Sequence, residues 1–212
     1  MDDTQPMDFN DLPPEAQRMA REVMDDLADD APPADTPIAH VLAAAEAGDL
    51  ESFTKLLDEH SLDVNEQGDD GDTALHISCL YGQLAIMQEC VRRGASVVAS
   101  DEDGSTPLHD ASAGGYYDIA KLLLQNGAQV DVADSDGDTP LHLASNGNHG
   151  HVCELLLLHA GADRAVRMKG AQNGVGMTPA ELAEDPTLVR SLRLGDDDES
   201  DGVGSGHKKA RA

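Results

Sequence analysis

Three histidines recur at one interval: His76, His109 and His142 stand thirty-three residues apart, each three residues after a threonine, Thr73, Thr106 or Thr139. Imidazoles at a repeated position suggest a metal or a proton relay, yet a closed zinc site gathers four ligands at short, recognisable spacing. A fixed interval of this length instead marks one structural position used again and again. His149, His151 and Cys153 alternate more closely, but they offer three donors where four are wanted, at a loop-to-helix junction. The chain has no Gly-x-Ser-x-Gly, no phosphate-binding loop and no nucleophile with a patterned base, and its carboxylates fall in turn sequences. No catalytic residue, metal or cofactor is expected, and the protein is read as not an enzyme.

The elements around the histidines explain the interval. In the stretch from Asp103 to Asp136, Thr106 is a side-chain acceptor able to cap a helix. Pro107 behind it has its φ preset and lacks an N–H that would be orphaned in the first turn. A short helix is predicted from Pro107 to the Gly114-Gly115 pair. A second follows over Tyr117 to Gln125, with Ile119, Leu122 and Leu123 at helical spacing and Asn126-Gly127 to stop it. Gln129 to Gly137, polar and rich in Asp and Gly, reads as a β-turn finger.

This unit returns in register. Thr106-Pro107-Leu108-His109 reappears as Thr139-Pro140-Leu141-His142 and, earlier, as Thr73-Ala74-Leu75-His76. Gly71, Gly104 and Gly137 precede the motifs by two residues, and Gly94-Ala95, Gly127-Ala128 and Gly161-Ala162 close the second helices. The pattern resembles the ankyrin repeat, a unit of a turn, T-P-L-H-x-A, a helix pair and G-A about thirty-three residues long. The resemblance implies an all-α fold with β-turn fingers, an ankyrin-repeat solenoid. It also implies a structural use for the three histidines, bonding neighbouring loops.

The resemblance runs from Ile38 to Leu194. Residues 38–67 read as a degenerate first unit, keeping Ala44-Ala45, Gly48, Leu56-Leu57 and Asp63-Val64-Asn65 without the TPLH. Units follow at about 70–100, 103–133 and 136–171, and 177–194, opening with Thr178-Pro179, reads as a terminal cap. From Thr139 to Thr178 the spacing is thirty-nine. One extra residue is assigned to Asn146 to Gly150, and five to a long, mobile finger from Arg164 to Gly176. Outside the repeats, residues 1–37 form an acidic tail in which Ala16, Met19, Ala20, Val23, Met24 and Leu27 line one face of a helix expected over about 14–28. Asp29 to Thr36 reads as a linker stiffened by Pro32-Pro33, and residues 195–212 as a disordered tail, acidic and then basic.

With 2% aromatic residues, packing must rest on Leu, Ala, Val and Ile spread along the stack. The three cysteines, Cys79, Cys90 and Cys153, are odd in number and lie in or beside helices, which suits buried, reduced thiols. No basic leader and no membrane-length apolar run is present, so a cytoplasmic or nuclear location is expected. The net charge of −27 is shared: residues 1–37 hold eleven acids and two bases, residues 38–194 twenty-five and nine, and residues 195–212 five and three. Such a surface repels nucleic acid and anionic lipid and draws basic proteins.

In ankyrin proteins the partner surface is usually the finger tips with the exposed face of the first helices, around a concave groove. Carried onto this sequence, the finger positions are Asp69, Asp70 and Asp72, then Glu102, Asp103 and Ser105, then Ser135, Asp136 and Asp138, seven of nine acidic. Asp is also a good turn residue, which accounts for one or two acids per finger and less well for Asp69-Asp70-Gly71-Asp72. On the first helices the candidates are Leu80, Tyr81, Asp110, Ala113, Asn146 and Tyr116, the tyrosines as interface anchors. The function expected is protein binding by a monomer, the partner being basic. One alternative is a dedicated chaperone or escort of a basic ribosomal or nuclear protein. Another is a regulatory or scaffold subunit that binds through the N-terminal helix. Asp63-Val64-Asn65 also resembles the ankyrin context in which an asparagine is hydroxylated, which would single out Asn65.

Overall fold

The computed structural model describes residues 36–193. The expected helix over about 14–28, the linker before Thr36 and the tail from Leu194 onward lie outside these residues. The helices come in pairs. They are α1 (Pro37–Ala47) and α2 (Leu50–His60), α3 (Ala74–Leu80) and α4 (Leu84–Arg92), α5 (Pro107–Ala113) and α6 (Tyr117–Gln125), and α7 (Pro140–Asn146) and α8 (Gly150–Ala160). Three more follow, α9 (Ala162–Gly170), α10 (Pro179–Leu182) and α11 (Pro186–Leu192). One antiparallel bridge, Gln67 to Thr73, is the sole strand-like pairing among the described residues.

The starts of the first helices follow from their sequence. The backbone N–H of Thr73, Thr106 and Thr139 donates to Nδ1 of His76, His109 and His142 at 3.2, 3.0 and 3.1 Å, and each threonine hydroxyl meets the same nitrogen at 2.8 or 2.9 Å. Thr178 uses Glu181 in the same way, the reciprocal N-terminal box of a short helix. Because Nδ1 accepts from an N–H, the proton of each neutral imidazole sits on Nε2. His109 can therefore donate to the carbonyls of Val132 and Asp138 at 3.1 and 3.2 Å, and His142 to that of Ala171 at 3.1 Å. One side chain thus starts a helix and fastens it to the next finger.

The core is a continuous layer between stacked helices. Val41, Phe53, Leu75, Ile86, Met87, Leu108, Leu123, Leu141, Leu156 and Leu192 are all but completely buried. Small side chains, Ala45, Cys79, Ala111 and Ala144, recur where first helices approach one another. Each fully buried Leu contributes about 2 kcal/mol, and no unit buries enough alone to fold without its neighbours.

A second interlock lies at the start of each second helix. The ring of Tyr116 rests on Gly82 of the preceding unit and on Gly114, and the ring of His149 on Gly115 and Gly147. Gly82 and Gly115 have φ of 71° and 72°, and a Cβ on either would collide with the ring above it. His149 Nε2 also reaches the carbonyl of Ala113 at 2.9 Å, and Gln83 Nε2 donates to that of Glu46 at 2.9 Å.

The long spacing near the C-terminus is resolved differently from the sequence expectation. The interval stays at thirty-three through Leu158, so no extra residue lies in Asn146 to Gly150. The finger is also of ordinary length, since the hydrogen bond from Asn173 N–H to the Met177 carbonyl matches those from Asp101 to Ser105 and from Asp134 to Asp138. The additional residues lengthen α8 to Ala160 and form α9, a helix where a long mobile finger was expected. His159-Ala160 replaces the Asn-Gly stop, and ADRAVRMKG carries Asp163 in its first turn and Arg167 and Lys169 in its last, in keeping with the helix dipole.

Candidate functional site

The fingers are built by backbone geometry first. Asp101 Oδ1 accepts from Ser105 N–H at 2.8 Å, and Asp134 Oδ1 accepts from Asp136 and Asp138 N–H at 3.0 and 2.8 Å. These bonds are the local turn chemistry of Asp. Successive fingers are joined edge to edge: Ser135 N–H donates to the Asp103 carbonyl at 2.8 Å and Gly174 N–H to that of Asp136 at 2.7 Å.

The expected site residues divide by environment. Asp69, Asp70, Glu102, Asp103 and Asp136 are exposed, as is Ser135, while Asp72, Ser105 and Asp138 are half-buried, Asp138 accepting from Asn173 Nδ2 at 2.8 Å. Tyr81 is 46% exposed beside Leu80 at 43%. Its hydroxyl lies by the Glu46 carboxylate, which raises the phenol above its ordinary value. Ala113 and Asn146 are exposed. Tyr116 is not a free anchor, because its ring is the wedge between two units described above.

Asp110 also departs from the expectation of an exposed side chain. Its Oδ2 is buried without a hydrogen-bond partner, and burial, aided by repulsion from Asp72 and Asp101, lifts its carboxyl to about 8. Asp72 is raised to about 6 by burial and by Asp101, Asp70 and Asp103. None of the ion pairs among the described residues involves these acids; they join Lys55 to Glu59, Arg92 and Arg93 to Glu89, Arg93 to Asp58, and Arg164 to Asp131. The second and third units thus bring Asp70, Asp72, Asp101, Asp103 and Asp110 into one electrostatic neighbourhood, next to the apolar Leu80 and Tyr81. Asp101 was missed by sequence reasoning. Its signal was present, for it stands three residues before Gly104 as Asp134 does before Gly137.

The other chemistry-bearing groups are packed away. Cys79, Cys90 and Cys153 are buried, and burial pushes all three thiols up, that of Cys90 to about 12, so none is a poised thiolate. His76 and His109 are lowered by burial. His149 is wedged on glycines, His151 is exposed and Cys153 is buried, and among the described residues no three His, Cys, Asp or Glu converge as a metal site. No helix among the described residues is long and apolar enough to cross a membrane.

A stack of helix pairs with projecting turns defines a helical-repeat fold. A model of ankyrin repeats in three copies matches residues 41–134, and a single ankyrin repeat matches residues 136–169. The chain belongs to the ankyrin repeat family. No curated protein matches it. Ankyrin repeats serve as protein–protein interaction modules and are in general not catalytic, and that is the class of activity this fold carries.

Proposed function

We propose that the protein binds a partner protein through a basic segment, held by the acidic fingers and the first-helix face of the second and third units. The observation that carries this reading is the crowding of Asp70, Asp72, Asp101, Asp103 and Asp110, none of which takes part in an ion pair among the described residues. Like charges held together raise the free energy of the unbound protein, and an arriving Lys or Arg relieves them. Leu80 and Tyr81 beside the acids favour a segment that also offers an apolar side chain. Escort of a basic protein through the cytosol or nucleus suits this chemistry, since an acidic sleeve keeps a basic chain from other polyanions. The test is capture of the partner by the chain with Asp69, Asp70, Asp103 and Asp136 changed to Asn. Weakened capture with a flatter salt dependence supports the proposal, and unchanged capture refutes it.

A further inference from the structure

Positive charge is absent from one side of the repeats. Among the described residues before α9, Lys55, Arg92 and Lys121 lie on second helices and Arg93 caps one. The stretches from one second helix to the next, each a finger with a first helix, are residues 61–83, 94–116 and 126–149. They hold five, four and four acids and not one Lys or Arg. Of these carboxylates only Asp131 takes part in an ion pair among the described residues, with Arg164 of α9. Asp110 Oδ2 is buried without a hydrogen-bond partner. A face of one sign draws counter-charge to it, and a segment of the same chain is held close by its tether.

The sequence selects which segment that is. Outside the described residues, Arg18 and Arg21 stand among Glu15, Glu22, Asp25 and Asp26, so their stretch brings repulsion along with attraction. Lys208, Lys209 and Arg211 stand in residues 202–212, which contain no acid. Their reach is sufficient. Lys208 is fifteen residues beyond Arg193, and a chain of that length spans up to about 50 Å. The end of α11 lies on the finger side, because Lys169 Nζ, two residues before the Ala171 carbonyl that His142 meets, donates to the Ser191 carbonyl at 2.7 Å. Helices packed side by side are about 10 Å apart, so the fingers at 134–138, 101–105 and 69–72 follow at about 10, 20 and 30 Å along the stack. The acids between, Asp196 to Glu199 and Asp201, come directly after the cap, where residues 162–193 hold four acids and five bases. The order of charge along this tail, acidic and then basic, is thus the complement of the surface from the cap to the fingers.

We propose that residues 207–211, His207-Lys208-Lys209-Ala210-Arg211, fold back onto the acidic fingers of the same chain and occupy them until a stronger basic partner displaces them. The inference rests on the reading of that face as the site for a basic segment, and adds a competitor carried by the chain itself. Tethering gives the three cations an effective concentration of about 1 mM, so a contact too weak to capture a free peptide still competes. The experiment uses the full chain in two measurements. A photo-cross-linking amino acid replaces Ser135, an exposed finger residue that is not one of the acids. Mass spectrometry of mixed isotope-labelled and unlabelled protein then separates adducts within one copy from those between copies. Adducts within one copy to residues 207–212, reduced at least fivefold by Lys208→Glu with Lys209→Glu and Arg211→Glu, are expected. In parallel, fluorescent octalysine is titrated into the parent and into the chain with those three residues changed to Ser, and the variant should bind about tenfold tighter. No adduct to this segment, adducts only between copies, adducts that survive the Glu substitutions, or equal octalysine binding by parent and variant would each overturn the inference. Equal binding leaves the acidic face standing as a basic-segment site, whereas octalysine bound by neither chain removes that reading and the inference together.

Discussion

Up to Leu158 neighbouring units are tied by recurring devices, whereas at the junction with the C-terminal cap each device is altered. In the regular part a histidine starts a first helix, a ring rests on a left-handed glycine of the unit before, and a Gly-Ala pair ends the second helix. In the terminal part Glu181 takes the place of the histidine, Asn148 at φ 56° takes the place of the glycine, and Gly161 opens a further helix. Asn148 Oδ1 accepts from Glu184 and Asp185 N–H, both at 2.8 Å, so the cap is fastened by side-chain hydrogen bonds instead of a stacked ring. The regular part is acidic and the cap is close to neutral. A solenoid can thus change its linkage chemistry at an end without losing the continuity of its core, and a cleft lies at that altered end.

The largest effect expected in breaking this comparison comes from the histidines. His109→Ala removes a buried ring that caps α5 and reaches two carbonyls of the next finger, and it should cost about 3 kcal/mol by denaturant unfolding. His142→Ala, with one such carbonyl, should cost less. His76→Ala should cost least of the three, since His76 Nε2 has no partner of good geometry. An equal loss at all three would show that the interlock is not graded by these bonds.

Asp110→Asn acts in the opposite direction. The folded-state carboxyl, at about 8, lies far above its unfolded value, so the folded chain binds the additional proton between the two values. Its contribution to stability is therefore full at low pH and is lost as pH rises towards 8. Asparagine removes that penalty, and the variant should be more stable than the parent by about 2 kcal/mol at pH 8, with little difference at pH 4. His76 and His109, lowered by burial, work the other way, withdrawing stability as pH falls below about 6.5. That loss appears in parent and variant alike, so the difference between them isolates Asp110.

Smaller effects sharpen the contrast at the cap. Gly161→Ala, at φ 77° and ψ 164°, should lose about 1 kcal/mol in thermal or denaturant unfolding. The helix content of α9 should fall with it, because that residue sets the angle between α8 and α9. Arg164→Ala should change stability by only about 0.3 kcal/mol, since its 3.6 Å pair with Asp131 is half exposed. A loss above about 1 kcal/mol there would mean that α9 is anchored by charge and not by Met168, which is 97% buried.

How much of this was legible in the sequence depends on whether a residue obeys the repeat. Thr106-Pro107-Leu108-His109 and its copies announce both their helices and their fingers, because capping and turn chemistry are local. Tyr116 was read as exposed because its wedge role depends on Gly82, thirty-four residues earlier, and only the folded stack brings them together. Asp110 was misread as well: it was taken as exposed on a first helix, whereas its Oδ2 is buried and Asp72 and Asp101, distant in sequence, are near enough to raise its carboxyl further. The segment Arg164 to Gly170 was assigned to a finger by alignment to the template, although Ala, Arg, Met and Lys favour a helix on their own account. There the repeat expectation overrode a correct local signal.

The central claim, that the acidic finger face takes a basic partner, is tested most directly by capturing the partner from a lysate across a salt series at pH 6 and pH 8, with the recovered proteins identified by mass spectrometry. The account predicts a strongly basic protein, lost progressively as salt rises. It also predicts retention about tenfold tighter at pH 8 than at pH 6, because an arriving cation displaces the protons held by Asp110 and Asp72. A neutral partner whose capture is indifferent to both salt and pH would contradict it.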